Sequence, residues 1–235
     1  MARQKEQEIA AIKERVLRMG GLVEDAIRKS VKALVERDRG LSLAVIDGDA
    51  IVNNLDVEIE EECIRFLALW QPKGSNLRFV TTAIKIITDL ERMADLAVDI
   101  SERGLELLDE PPLKPYIDIP RMAEAAQKML KDSLDAFVKK DADLALTVCA
   151  ADDFVDNLNH QIFNELLVYM LQDPRNISRA VRLTYIAKYL ERIGDHATNI
   201  AEMVVYMVKG KVIRHMACEM RPQAQKTVDN PGPER

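Results

Sequence analysis

The sequence predicts an all-α fold of two tandem, pseudo-repeated three-helix bundles with up-down topology. The first observation is that apolar residues recur at helical spacing, as in Val52, Leu55, Ile59, Cys63 and Phe66, with no alternating strand pattern to compete. The second is that 48% of the residues are apolar but only 5% are aromatic, so that the core must consist of small aliphatic side chains. Helix-on-helix packing favours such a core.

The third observation is an internal repeat. The acidic segment 91–95 (ERMAD) recurs at 191–195 (ERIGD), an offset of 100 residues. Upstream the offset is 103, and the matching pairs are Ser30 with Ser133, Ala33 with Ala136, Val35 with Val138, Asp38 with Asp141, Asp49 with Asp152 and Asn54 with Asn157. Two copies of one unit therefore fill most of the chain.

Residues that disfavour helix divide each copy into three helices. In the first copy the breaks fall around Arg39-Gly40 and around Gln71-Pro72-Lys73-Gly74. In the second copy they fall around Lys140-Asp141 and Asp173-Pro174-Arg175. The parallel placement of the breaks supports the repeat.

Prolines and polar residues set the expected boundaries of the two copies. Residues 111–120 contain four prolines, which no continuous helix could absorb, so this segment is predicted to be a linker. It separates a first three-helix repeat, 1–110, from a second, 121–217. Residues 218–235 turn polar and are predicted to be a disordered tail, because they cannot bury enough apolar surface to become ordered.

Charge and composition exclude several classes of function. The net charge is −6, and no dense run of basic residues is present, so nucleic acid is not expected as a partner. No apolar signal core or membrane span is found, which predicts a cytoplasmic protein. The three cysteines, Cys63, Cys149 and Cys218, form no CxxC pair and are predicted to be small buried apolar residues in a reducing compartment.

Oxygen-bearing side chains line one face of the third helix in each copy. Residues four apart advance about 40° around a helix axis, so they share a face. The stripe comprises Glu91, Asp95, Asp99 and Glu102 in the first copy and Glu191, Asp195, Asn199 and Glu202 in the second. A facing row on the preceding helix comprises Asp49, Asn53, Asp56 and Glu60 in the first copy and Asp152, Asp156 and Asn159 in the second. Two oxygen-rich helix faces are expected to meet in each bundle.

Two interpretations of these stripes remain open. Like charges four residues apart destabilise a helix by about 0.2–0.5 kcal/mol per pair, so compensation is needed. One source would be salt bridges, for which the spaced pairs are Arg92 with Asp95, Lys188 with Glu191 and Arg192 with Asp195. The other would be a hard divalent ion or an oxo-bridged iron cluster, because the candidate donors are all oxygens.

Catalytic signatures are not found beside the stripes. The sequence contains no Glu-x-x-His motif, no nucleophile–base arrangement and no glycine-rich phosphate loop, so an enzyme is not expected. The histidines, His160, His196 and His215, lie off the acidic faces or stand alone and are not predicted to be ligands.

An ordered set of segments resembles a known family. The segments are 19–24 (MGGLVE), 71–72 (QP), 91–95 (ERMAD), 191–202 (ERIGDHATNIAE) and 208–215 (VKGKVIRH), which span most of residues 14–216. They resemble the PhoU family, a doubled three-helix bundle with an acidic E/D-x-x-x-D motif in each half. Asn199 departs from the pattern of Asp99 and makes the second stripe less charged.

The resemblance implies a function that composition and spacing do not show. It implies a homodimeric cytoplasmic adaptor that negatively regulates the phosphate regulon and phosphate uptake. Its implied partners are the ATPase subunit of the high-affinity phosphate ABC transporter and a sensor histidine kinase, and it would reach the membrane only through them. Iron, zinc, magnesium or manganese is implied on the acidic motifs, with Glu91, Asp95, Asp99, Glu191, Asp195 and Asn199 as candidate ligands.

Two alternatives belong to other classes. A carboxylate metalloenzyme acting on phosphate esters would use the same acidic stripes but lacks an accompanying base or nucleophile. A helical scaffold unrelated to phosphate would share the bundles and not the regulatory role.

Overall fold

The computed structural model describes residues 2–211, which form six long α-helices and no strand. They are α1 (Ala2–Glu36), α2 (Arg39–Trp70), α3 (Ser75–Glu106), α4 (Asp118–Lys139), α5 (Ala142–Gln172) and α6 (Ile177–Lys209). The prediction of an all-α fold is confirmed. The predicted tail, 218–235, lies outside the described residues, and so does His215.

The helices form two three-helix bundles that share one core. In the first bundle α1, α2 and α3 contact one another, and in the second α4, α5 and α6 do so. The bundles meet where α3 packs on α6 and α1 packs on α4, so four helices surround the centre and α2 and α5 flank it. Between the two bundles, the rings of Phe79 near the start of α3 and Phe137 near the end of α4 stack with centroids 5.3 Å apart.

Polar contacts show that α3 and α6 run antiparallel. Near one end Arg78 Nε donates a hydrogen bond to the carbonyl oxygen of Met207 at 3.0 Å. Near the other end Arg182 Nε donates to Glu106 Oε2 at 2.7 Å. The acidic motifs in the middle of the two helices therefore lie at a similar height on either side of the seam.

Helix capping moves the first break from its predicted place. The chain turns at Arg37, whose φ is 58°, and Asp38 Oδ1 accepts a hydrogen bond from the N–H of Leu41 at 3.0 Å. An N-cap aspartate satisfies a helix N–H that has no partner within the helix. The break therefore precedes the Arg39-Gly40 pair, which forms the first turn of α2. In the second copy the turn is at Lys140, with φ 55°, as predicted.

The proline-rich connection is shorter than predicted. Helix α4 begins at Asp118, so Pro120 lies in its first turn rather than in the linker. A proline is tolerated there because first-turn N–H groups have no partner within the helix. The connection is held by Arg37, which donates hydrogen bonds to the carbonyl oxygens of Leu108 and Glu110 at 2.6 and 2.8 Å.

The connection also replaces the first turns of α1 in the second repeat. Helix α4 has 22 residues where α1 has 35. In the first repeat Arg15 of α1 forms an ion pair with Glu62. In the second repeat Glu165, the residue equivalent to Glu62, forms an ion pair with the buried Lys114 of the connection. A segment without helix therefore makes the equivalent contact.

A close contact joins α1 to α4. A Cβ atom added at Gly20 would overlap with Cδ1 of Leu134, whereas one added at Gly21 would meet open space. Glycine at position 20 thus allows the two helices to approach. Among residues 2–211, none of the helices combines the length and apolar character that crossing a bilayer requires.

Of the two cysteines within the described range, one is buried as predicted and the other is only partly buried. Cys63 is buried and Cys149 is half-buried. Burial raises the pKa of the Cys63 thiol to about 12 and that of Cys149 to about 11. Neither thiol is a reactive thiolate near neutral pH.

Candidate functional site

Four carboxylates from α2 and α3 come together in the first repeat. We call Asp49, Asp56, Glu91 and Asp95 the first acidic centre. Burial raises the pKa of Glu91, as do the negative charges of Asp95, Asp56 and Asp49, while Arg92 opposes the rise. Burial likewise raises the pKa of Asp49, and the charge of Asp95 adds to the effect. The two predicted faces therefore meet and repel each other.

The second repeat brings together the equivalent side chains of α5 and α6. We call Asp152, Asp156, Glu191 and Asp195 the second acidic centre. Burial raises the pKa of Asp152 to about 7, and the charges of Asp156, Asp195 and Glu191 contribute to the rise. Burial also raises the pKa of Asp156, with Glu191 as the next cause.

Each centre contains one buried carboxylate oxygen without a hydrogen-bond partner. These atoms are Asp49 Oδ1 and Asp152 Oδ1, at matching positions of the repeat. The other oxygen of Asp49 accepts a hydrogen bond from Asn53 Nδ2 at 2.7 Å. A buried unpaired oxygen is costly, and a cation would satisfy it.

The carboxylate oxygens of each acidic centre are suitable ligands for a hard cation. Their side chains do not, however, surround a common ion position. Carboxylate oxygens are the ligands that magnesium, manganese and calcium prefer. Within residues 2–211, no three acidic, histidine or cysteine side chains are already arranged to hold one ion. Binding would therefore require the carboxylates of a centre to move towards each other.

Gly194 in the second motif explains part of the difference in packing between the two acidic centres. A Cβ added at Gly194 would lie 3.3 Å from Asp152 Oδ1 and 3.4 Å from Val155 Cγ1, which is close contact. Glycine therefore leaves room for Asp152 to pack against α6. The first repeat has Ala94 at the equivalent position, which adds a methyl group beside α2.

Cations beside the centres offset only part of the repulsion. Arg92 lies 3.7 Å from Asp95, and Lys188 forms an ion pair with Glu191, so two of the predicted pairs are present. For the third, the charge of Arg192 opposes the rise in the pKa of Asp195 that burial and Glu191 cause. The pKa of Asp195 remains raised, so the salt bridges leave unfavourable charge in the second centre.

Comparison with known proteins decides the family. A family model described as "PhoU domain" matches residues 16–104 and 119–204. The chain belongs to the PhoU family. A phosphate-specific transport system accessory protein PhoU homolog from Aquifex aeolicus is 44% identical over 89% of this chain and 95% of its own length. The corresponding homolog from Pseudomonas putida is 40% identical over 94% of this chain and 87% of its own length.

Solved PhoU structures share the fold. A crystal structure of PhoU from Pseudomonas aeruginosa matches with a TM-score of 0.84 and 40% identity, covering 88% of this chain and 99% of that one. The phosphate transport system regulatory protein PhoU from Streptococcus pneumoniae matches with a TM-score of 0.82 and 28% identity, covering 88% and 98%. The resemblance and the doubled helical bundle predicted from the sequence are confirmed.

Two of the candidate ligands in this PhoU protein lie towards the seam between the repeats. Burial and Glu102 raise the pKa of Asp99, and the charges of Arg103 and of Arg192 on α6 oppose the rise. Asn199 Nδ2 donates a hydrogen bond to Asp89 Oδ1 at 3.5 Å, across the seam. Both side chains are thus engaged with groups other than the facing rows of α2 and α5.

The remaining candidates lie at the edges of the centres. Asn53 and Glu60 are exposed on α2, and Asn159 is half-buried on α5. The charge of Glu60 is felt at Asp56, whose pKa is raised first by burial. A role for these side chains as metal ligands stays a prediction.

A histidine–aspartate contact across the seam was missed by the sequence analysis. His196 Nδ1 lies 2.7 Å from Asp89 Oδ1, joining α6 to α3. The position equivalent to Asp89 in the second repeat is Tyr189, so the repeat gives no signal for this contact. His196 therefore has a partner in the PhoU fold even though it lies off the acidic stripe.

Proposed function

We propose that this protein is a negative regulator of the phosphate regulon and of phosphate uptake in phosphate-replete cells. It acts as a helical adaptor between the high-affinity phosphate ABC transporter and a sensor histidine kinase. The observation that carries the proposal is the match of both repeats to the PhoU domain, together with relatives named as accessory proteins of a phosphate-specific transport system.

The shared core supports a docking role. Because α3 and α6 pack on each other and one apolar core runs through both bundles, the two repeats present their outer faces in a fixed relation. An adaptor can shift a partner's equilibrium only if it binds the partner's states with different affinities. In phosphate excess the protein would bind the non-signalling state of the kinase more tightly.

The proposed function includes metal binding at the two acidic centres. Asp49, Asp56, Glu91 and Asp95 would bind one ion, and the second acidic centre would bind another. Iron, zinc, magnesium or manganese, when bound, supplies positive charge that offsets carboxylate repulsion. Its role is structural, since it would clamp the third helix of each bundle onto the second. The candidate ligands Asp99 and Asn199 would bind an ion only if their side chains moved away from the seam.

Location and assembly complete the proposal. The protein works as a homodimer in the cytoplasm and reaches the membrane through the transporter's ATPase subunit and the kinase. Nucleic acid is not among its partners, because the net charge is −6.

The test is the transcript level of phosphate-starvation genes in phosphate-rich medium. Cells that lack the protein are expected to express these genes strongly, and cells complemented with it are expected to silence them. Equal, low expression in both strains would refute the regulatory role and leave a helical scaffold unrelated to phosphate.

A further inference from the structure

The two acidic centres contain the same number of carboxylates but differ in the groups beside them. Asn53 of α2 corresponds to Asp156 of α5. Three residues further along, Asp56 of α2 corresponds to Asn159 of α5. A carboxylate and an amide have thus exchanged places between the repeats. The affinity of each centre for a cation therefore depends on which of its carboxylates already have a partner within the protein.

Three of the four carboxylates in the first acidic centre have such a partner. Asn53 Nδ2 donates a hydrogen bond to Asp49 Oδ2 at 2.7 Å. Arg92 Nε lies 3.5 Å from Glu91 Oε2, and Arg92 Nη1 lies 3.7 Å from Asp95 Oδ2. A cation that enters this centre must compete with the amide and the guanidinium group for the carboxylate oxygens.

The second acidic centre has fewer partners among the residues that the structure describes. Glu191 forms an ion pair with Lys188. The other three carboxylates form neither a hydrogen bond nor an ion pair through their side chains within residues 2–211. These three are Asp152, Asp156 and Asp195. In the first acidic centre the same is true of Asp56 alone, over the same range of residues.

The seam gives the equivalent arginines Arg92 and Arg192 different surroundings. Burial raises the pKa of both Asp99 and Asp195, and the charge of Arg192 opposes the rise at each of them. Asp99 lies on α3, across the seam from Arg192, and the residue equivalent to it on α6 is the neutral Asn199. Asp99 therefore competes with Asp195 for Arg192, whereas Arg92 has no matching carboxylate on α6 and stays beside the first acidic centre.

We propose that the second acidic centre binds a hard divalent cation more tightly than the first, and that Asp99 contributes to the difference by attracting Arg192 towards the seam. This inference rests on the proposed function and assigns an order of loading to its two metal sites. The charge of the ligands tunes the affinity of a carboxylate site, and a cation in the second acidic centre displaces fewer partners. Asp99 is thus a positioning residue that acts through Arg192.

The first experiment titrates the full chain with manganese at pH 8, without oxygen, and measures free Mn²⁺ by electron paramagnetic resonance. Burial raises the pKa of Asp152 only to about 7, so this carboxyl group is ionised at pH 8. The wild-type protein is expected to show a tight and a weak class of site whose Kd values differ by about tenfold or more. One affinity for both sites would overturn the inference and leave metal binding in place. No bound manganese would refute the metal role in the proposed function, and the inference with it.

Matched variants assign each class of site to a centre. Asp156→Asn removes a carboxylate of the second acidic centre and should weaken the tight class by about tenfold. Asp56→Asn makes the corresponding change in the first acidic centre and should affect the weak class only. Circular dichroism in the presence of a chelator checks that both variants fold. A tight class that Asp156→Asn leaves unchanged would overturn the inference.

A double-mutant cycle tests the role of Asp99. Asp99→Asn should raise the Kd of the tight class about threefold, as expected of one exposed ion pair, because Arg192 can then pair with Asp195. In a protein that carries Arg192→Gln, the same change at Asp99 should leave this Kd unaltered. An equal loss of affinity in both backgrounds would show that Asp99 acts as a ligand or through the fold, and would overturn the positioning role. No loss in either background would overturn it as well.

Discussion

Replacing Asp152 by asparagine should stabilise the metal-free protein and reduce the stabilisation that metal provides. In the folded state the pKa of Asp152 is raised to about 7, because burial and the neighbouring Asp156 penalise the ionised form. The ordinary pKa of an aspartate is 3.8. Between these two pH values the folded state binds more protons than the unfolded state. The stability of the metal-free protein therefore falls as pH rises through this window. Asp152→Asn removes the ionisable group, so the variant does not lose stability through this ionisation as pH rises.

The size of the effect follows from the shift in pKa. One pH unit corresponds to 1.36 kcal/mol, so the shift from 3.8 to about 7 at Asp152 sets an upper bound of about 4 kcal/mol at pH 8. Side-chain movement and water entry reduce this bound, and we expect about 1–2 kcal/mol. For a chain of this length that raises the melting temperature of Asp152→Asn by about 2–8 °C at pH 8. At pH 4 the variant and the wild-type protein should melt together.

The assay is thermal unfolding followed by circular dichroism in the presence of a chelator, at pH 4 and pH 8. The matched control is Asp47→Asn, which removes an exposed carboxylate on α2 and should leave the melting temperature unchanged at both pH values. A metal-free Asp152→Asn protein that is less stable than the wild-type protein at pH 8 would refute the reasoning.

Metal addition should offset the advantage of the variant. A bound ion stabilises the folded state by about 2.7 kcal/mol at a concentration one hundred times its Kd. The wild-type protein should gain most of this stabilisation, and Asp152→Asn should gain less because one carboxylate of the second acidic centre is lost. Equal gains for both proteins with manganese, magnesium, zinc and iron would contradict a metal role for Asp152.

Two further predictions concern packing and chemistry. Gly20→Ala should lower the free energy of unfolding by about 1–3 kcal/mol, because the added methyl group overlaps with Leu134, and chemical denaturation measures it. Gly21→Ala is the control and should be neutral or stabilising, since its Cβ meets open space and alanine favours helix. The wild-type protein should not hydrolyse a chromogenic phosphoester with any of the four metals; turnover that Asp95→Ala with Asp195→Ala abolishes would favour the metalloenzyme.

Features that repeat along the chain could be predicted from the sequence. The acidic segments recur at an offset of 100 and the facing rows with Asp49 and Asp152 at an offset of 103, and the structure places both rows together. Asp38 is also a local signal for a helix N-cap. Because Gly40 disfavours helix, the break was instead predicted at Arg39-Gly40, about two residues after the observed turn.

Features that depend on contact between the repeats could not be predicted in this way. The contact between His196 and Asp89 joins two residues whose spacing carries no periodic signal. The same holds for Gly20, which looks like any helical glycine until Leu134 is placed beside it. Phe163 and Leu167 have the helical spacing of core residues, and only the packing of α5 on α6 shows that they are exposed.

The rate of phosphate uptake in phosphate-rich medium tests the central claim most directly. The account predicts that cells lacking the protein take up labelled phosphate faster than wild-type cells, and that the wild-type gene restores the low rate. An uptake rate that is the same with and without the protein would contradict a role in holding down phosphate acquisition.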